Sequence, residues 1–150
     1  MSEASQIPKR RIVQAHLRSA WLGLLVFVTF GIALELLHAF KSEAYLGVHN
    51  ETRRLMWTLA HAHGVGLSLV HLGFAATLEL RFATPSARLV LASRLLHWSA
   101  VLIPAGFLLG GVVSYGADPS LGVLLVPIGA VLLWVAVACV ALAVLRDPRD

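Results

Sequence analysis

Residues Arg54–Leu80, RLMWTLAHAHGVGLSLVHLGFAATLEL, decide the fold. No Asp, Glu, Lys or Arg interrupts the stretch between Leu55 and Leu78. A hydrocarbon layer of ~30 Å takes about 20 apolar residues of helix, at 1.5 Å per residue. The stretch is long enough and reads as a transmembrane helix. It also carries His61, His63 and His71. Ionisable side chains are costly at that depth, which makes them functional candidates.

Three further apolar runs surround it, at about 20–40, 89–113 and 121–145. Together with 54–80 they predict an all-α integral membrane protein, an up-down four-helix bundle with short loops. Composition agrees. The 150 residues are 58% hydrophobic and 13% charged, with a mean hydropathy of +0.79. A soluble domain carries about 25% charged residues. The length suits a single transmembrane domain over 1–150, with no separate soluble domain. The lipid bilayer is the first partner this implies, with a larger membrane complex or a homo-oligomer as further ones.

The formal charge of +4 sits at helix ends. There it sets orientation and meets anionic headgroups, so it does not point to nucleic acid. Met1–Ser19 is a polar, basic tail before an apolar run too long for a signal-peptide core, so the run reads as an uncleaved first helix. Lys9, Arg10, Arg11, Arg18, Arg81, Arg88, Arg146 and Arg149 give eight basic residues on one side. Lys41, Arg53 and Arg54 give three on the other. The excess predicts an inner (plasma) membrane protein with both termini cytoplasmic. Cys139 is the only cysteine, so no intramolecular disulfide forms.

Centring each run in the bilayer sorts the polar residues by depth. Glu35, His38, His61 and His63 fall in an outer layer, ~4–12 Å from the midplane. His71 and His97 fall in an inner layer, ~4–7 Å from it. At 100° per residue, His61, Gly64, Ser68 and His71 share a narrow polar stripe, while His63 lies about 200° from His61. The last run, 121–145, has no ionisable residue and reads as a packing helix. Gly106 and Gly110 form a small-xxx-small packing motif.

Imidazole is the commonest metal-ligating side chain and often holds haem iron. His71 and His97, at matched depth on antiparallel neighbours, are the candidate haem ligands. Arg94 is available to a propionate, or to Glu79 as a structural ion pair. In the outer layer, Glu35 and His38 form a single Glu-x-x-His. A di-metal centre needs two such copies and further glutamates. A mononuclear copper or zinc site from Glu35, His38, His61 and His63 is the alternative. Hydrogen bonds from each histidine to neighbouring helices are the structural alternative for both layers. No phosphate loop, nucleophile elbow, HExxH or paired cysteine points to a soluble-type enzyme.

Arg53-Arg54-Leu-Met-Trp57-Thr-Leu-Ala-His61-Ala-His63-Gly64 resembles a segment of small bacterial four-helix membrane proteins. Its His-Ala-His-Gly is also similar to haem-binding helices of haem–copper oxidase subunit I and related nitric-oxide-response membrane proteins. The resemblance covers one helix of four and implies haem or copper, not an enzymatic activity. The function expected is haem or metal-ion binding through intramembrane histidines, for electron transfer or cofactor handling. The alternatives are a non-catalytic subunit of a membrane complex and a proton or small-solute conduit.

Overall fold

The structure, a computed structural model, describes residues 9–112, 114–115 and 118–146. Arg149 of the charge count lies outside the described residues. The chain runs through α1 (Lys9–Ala39), short α2 (Glu43–Leu46), a 3-10 turn (Val48–Asn50) and α3 (Glu51–Arg81). It continues through α4 (Ala87–Val112), a two-residue hairpin of β1 (Ser114–Tyr115) and β2 (Asp118–Pro119), a second 3-10 turn (Leu121–Leu124) and α5 (Leu125–Leu145). The fold is all-α in its body, with four helices long and apolar enough to cross a membrane.

The first helix begins at Lys9, well before the apolar run that starts at about Ala20. Residues 9–18 are good helix formers such as Lys, Arg, Gln, Ala and Leu. Ile12, His16 and Ala20, spaced four apart, are buried along one face of α1. The Lys9 ammonium donates to the Glu79 carbonyl at 3.0 Å and lies 3.4 Å from its carboxylate, fastening the start of α1 to the end of α3. A segment that reads as a polar tail is therefore part of the bundle.

Neighbouring helices run antiparallel, and small residues set how closely they approach. Between α1 and α3, Gly23 faces Ser68, Gly64 lies under the Phe27 ring and Gly31 lies against His61. Between α3 and α4, the Trp57 indole donates to the Leu108 carbonyl at 3.3 Å and packs on Gly111. Between α4 and α5, Gly106 meets Val126 and Gly129 meets Ile103. Arg53 donates to the Gly111 and Val112 carbonyls at the end of α4 and to Ala44 in α2. A guanidinium there satisfies carbonyls that have no partner within their helix and meets the negative end of the helix dipole.

One apolar core lies at the end of the bundle where α1 begins. It joins Ile12 of α1, Phe74 and Leu78 of α3, Leu89, Ala92 and Leu96 of α4, and Ala136 of α5. Elsewhere large apolar side chains face outward, among them Trp21, Leu25, Trp98 and Trp134. Contiguous apolar surface of this kind is a liability in water and the normal outer face of a helix in lipid.

Candidate metal centre

Just inside that core, three helices each contribute one histidine to a single cluster. His16 comes from α1, His71 from α3 and His97 from α4. His16 and His71 are fully buried, and His97 is half-buried. One ring nitrogen from each lies within 4.8 Å of the other two. Among the described residues, this is the group of three or more histidine, cysteine or acidic side chains close enough to hold a metal ion. The ring centroids are 4.6 Å apart for His16 and His71, 4.3 Å for His16 and His97, and 4.8 Å for His71 and His97. Phe74 closes one side, 4.4 Å from the His16 ring.

Hydrogen bonds determine which nitrogens remain available. The Nδ1 atoms of His16 and His71 are 2.8 Å apart, so one of the two carries the proton between them. His16 Nε2 lies 2.8 Å from the Ser93 hydroxyl. His97 Nδ1–H donates to the Ser93 carbonyl at 2.8 Å, which leaves its Nε2 as a lone pair. His71 Nε2 is buried and has no hydrogen-bond partner. The Leu96 backbone lies within hydrogen-bonding reach of the His71 ring, although no bond of standard geometry forms to Nε2.

An ion held at His71 Nε2 would fix the tautomers along the chain: His71 Nδ1–H would donate to His16 Nδ1, and His16 Nε2–H to the Ser93 hydroxyl. Metal-bound imidazoles commonly donate their second N–H to a polar neighbour in this way, which holds ring and tautomer. Were an ion held here, His71 Nε2 and His97 Nε2 would be the nitrogens left to bind it, with His16 and Ser93 positioning them.

The same geometry tests the two cofactor expectations. With bonds of ~2 Å and a further ~1.2 Å from nitrogen to ring centre, trans imidazoles on one iron keep ring centres roughly 6 Å apart. His71 and His97 are 4.8 Å apart, edge to face, with His16 packed against both. No slot for a haem lies between them in this conformation. Imidazoles at adjacent positions of one ion would keep ring centres roughly 4.5–5 Å apart by the same bond lengths, a spacing compatible with the 4.8 Å between His71 and His97.

The other sequence-predicted residues fall elsewhere. Arg94 is exposed, and Glu79, its candidate partner, pairs with Lys9. Glu35 and His38 are exposed at the opposite end of the bundle. The ring of His61 donates Nδ1–H to the Phe27 carbonyl at 2.7 Å. His63 turns away, bonding the Leu59 carbonyl of its own helix at 2.9 Å and packing on Phe107 of α4. Glu35, His38, His61 and His63 therefore do not converge on one ion, although Glu35 and His61 line one groove. His16 is absent from the sequence expectation because hydropathy ends the first run short of it. Its four-residue spacing from buried Ile12 and Ala20 is the signal that includes it.

Comparisons of the chain with protein-family profiles, curated proteins and solved structures give no significant match.

Proposed function

We propose that this chain is a multi-pass plasma-membrane protein that holds a transition-metal ion at His71 and His97, positioned by His16 and Ser93. The observation that carries the reading is the convergence of His16, His71 and His97, in which the buried Nε2 of His71 makes no hydrogen bond of standard geometry. A buried polar nitrogen without a partner costs about 1–3 kcal/mol. An ion removes that penalty. An uncharged, nitrogen-only donor set suits copper, zinc, iron or nickel rather than magnesium or calcium. The open coordination positions suit cofactor handling or electron transfer.

The basic end of the bundle supports cytoplasmic termini. Lys9, Arg10, Arg11, Arg18, Arg81, Arg88, Arg94 and Arg146 are at that end, against the single described acid Glu79. The metal centre is then closest to the cytoplasmic face.

Elemental analysis of detergent-purified protein, with and without added copper or zinc, tests the proposal. One ion per chain is expected for the wild type and none for His71→Ala. A wild-type protein that retains and takes up no ion overturns it. A second reading rests on the continuous contacts from His71 through His16 to the Ser93 hydroxyl, which form a proton relay without metal. Proton flux in liposomes that is lost in Ser93→Ala and insensitive to chelator favours that reading.

A further inference from the structure

At the end of the bundle opposite the histidine cluster, two concavities adjoin along the seam of α1 and α3. They share Glu35, Tyr45 and Thr58. The terminal one, about 650 Å³, is the more polar of the two, with Glu35, His38, Glu51 and Arg54 among its lining residues. The other, about 520 Å³, runs down α1 past Leu36, Ile32 and Val28 and is mostly apolar. From Glu35 to Val28 the apolar part extends ~10 Å along the helix. Neither Glu35, Glu51 nor Arg54 makes an ion pair among the described residues. The buried Tyr45 side chain, its hydroxyl 3.4 Å from Thr58, lines both parts.

We infer that this groove is a binding site for an aminophospholipid, with the headgroup among Glu35, Glu51 and Arg54 and one acyl chain along α1. The inference is independent of the metal centre. Two carboxylates and one guanidinium match a headgroup that carries one primary ammonium and one phosphate. The guanidinium pairs with phosphate in a planar, two-bonded geometry. Each carboxylate accepts from the ammonium, which offers three N–H donors. A quaternary ammonium offers none, and an anionic headgroup without an amine meets two carboxylates unfavourably. The polar part lies at the helix ends, where headgroups lie, and the apolar part continues into the hydrocarbon region. The fit of one amphiphile to both parts is what separates this groove from an ordinary lipid-facing surface.

Native mass spectrometry in detergent tests the site, with equal amounts of phosphatidylethanolamine, phosphatidylcholine and phosphatidylglycerol. One phosphatidylethanolamine per chain is expected to be retained in preference to the other two. Glu35→Gln and Arg54→Gln should each lower that retention roughly threefold to tenfold, the loss of one charge-assisted hydrogen bond at a solvent-accessible site. Glu79→Gln, an acid at the far end of the bundle, should leave it unchanged and serves as the folding and charge control. Equal retention of the three lipids overturns the inference, as does a preference for phosphatidylglycerol or an equal loss in all three variants.

Discussion

The Nδ1 atoms of His16 and His71 lie 2.8 Å apart in the interior of the bundle, joined through one shared proton. His16 reaches Ser93 with its other nitrogen, and Ser93 holds His97 with its carbonyl. Three helices are thereby connected through side chains of which His16 and His71 are fully buried. Removing the central member leaves the remaining groups without partners. His16→Ala should therefore lower stability by about 1–3 kcal/mol through the unpaired His71 Nδ1 alone. The coupling between His16→Ala and Ser93→Ala in a double-mutant cycle should be about 0.5–2 kcal/mol. Denaturant titration in mixed micelles measures both, and additive single effects would show that His16 and Ser93 are not coupled.

Ligand linkage gives a second expectation. An ion that binds the folded cluster and not the unfolded chain stabilises the fold by about 2.7 kcal/mol at a hundredfold excess over Kd. Added zinc or copper should raise the thermal midpoint of the wild type, and a chelator should reverse the change. His71→Ala and His97→Ala should show no response. A shift of equal size in either variant would mean that the ion binds elsewhere.

How much of this was legible in the sequence depends on which force placed each residue. Hydropathy alone places the four long helices, because each is long and apolar enough to cross a membrane. The polar stripe of Gly64, Ser68 and His71 is equally legible, since those residues are buried against α1 or α4. Opposite faces for His61 and His63 follow from helical periodicity, and their hydrogen bonds go to α1 and to α3 itself. What hydropathy misses is the start of α1. Arg10, Arg11 and Arg18 mask a buried stripe that packing, not lipid, selects. His16 lies on that stripe, so the sequence points to two of the three clustered histidines. Arg94 has no part in the cluster because it lies on the outer face of α4.

Orientation is open to a direct measurement. The eight-to-three basic excess and the basic end of the bundle predict that Arg146 and Lys9 face the cytoplasm. Reporter fusions after Arg146 and at Asp118 should give opposite signals, cytoplasmic and periplasmic respectively. A periplasmic signal after Arg146 would put the histidine cluster near the outer face instead.

Two glycines on α3 separate packing from helix propensity. A methyl group on Gly64 would collide with the Phe27 ring, whereas one on Gly66 meets nothing within 4 Å. Gly64→Ala should destabilise by about 1–3 kcal/mol, as overpacking does. Gly66→Ala should be neutral or stabilising by up to ~1 kcal/mol, because alanine is the better helix former. Equal effects in thermal unfolding would show that α1 and α3 are not in contact at this level.

The seam between α1 and α3 offers a sharper test, because its two halves depend on each other. His61 Nδ1–H reaches the Phe27 carbonyl only because Gly31 has no side chain: a Cβ there would run into the imidazole ring. Gly31→Ala alone should therefore expel His61 or separate the helices, at about 1–3 kcal/mol. His61→Ala alone gives up one interhelical hydrogen bond, worth about 0.6–1.7 kcal/mol between membrane helices. With the ring absent, the alanine at position 31 fills space that the imidazole occupied. The double substitution should then be less destabilising than the sum of the two, by about 1 kcal/mol or more. Metal content should not change in any of the three variants, since His61 is not part of the His16–His71–His97 cluster. A simple sum in the unfolding measurement would show that His61 does not occupy the space above Gly31. Loss of metal in His61→Ala would move the ligand set toward the opposite end of the bundle.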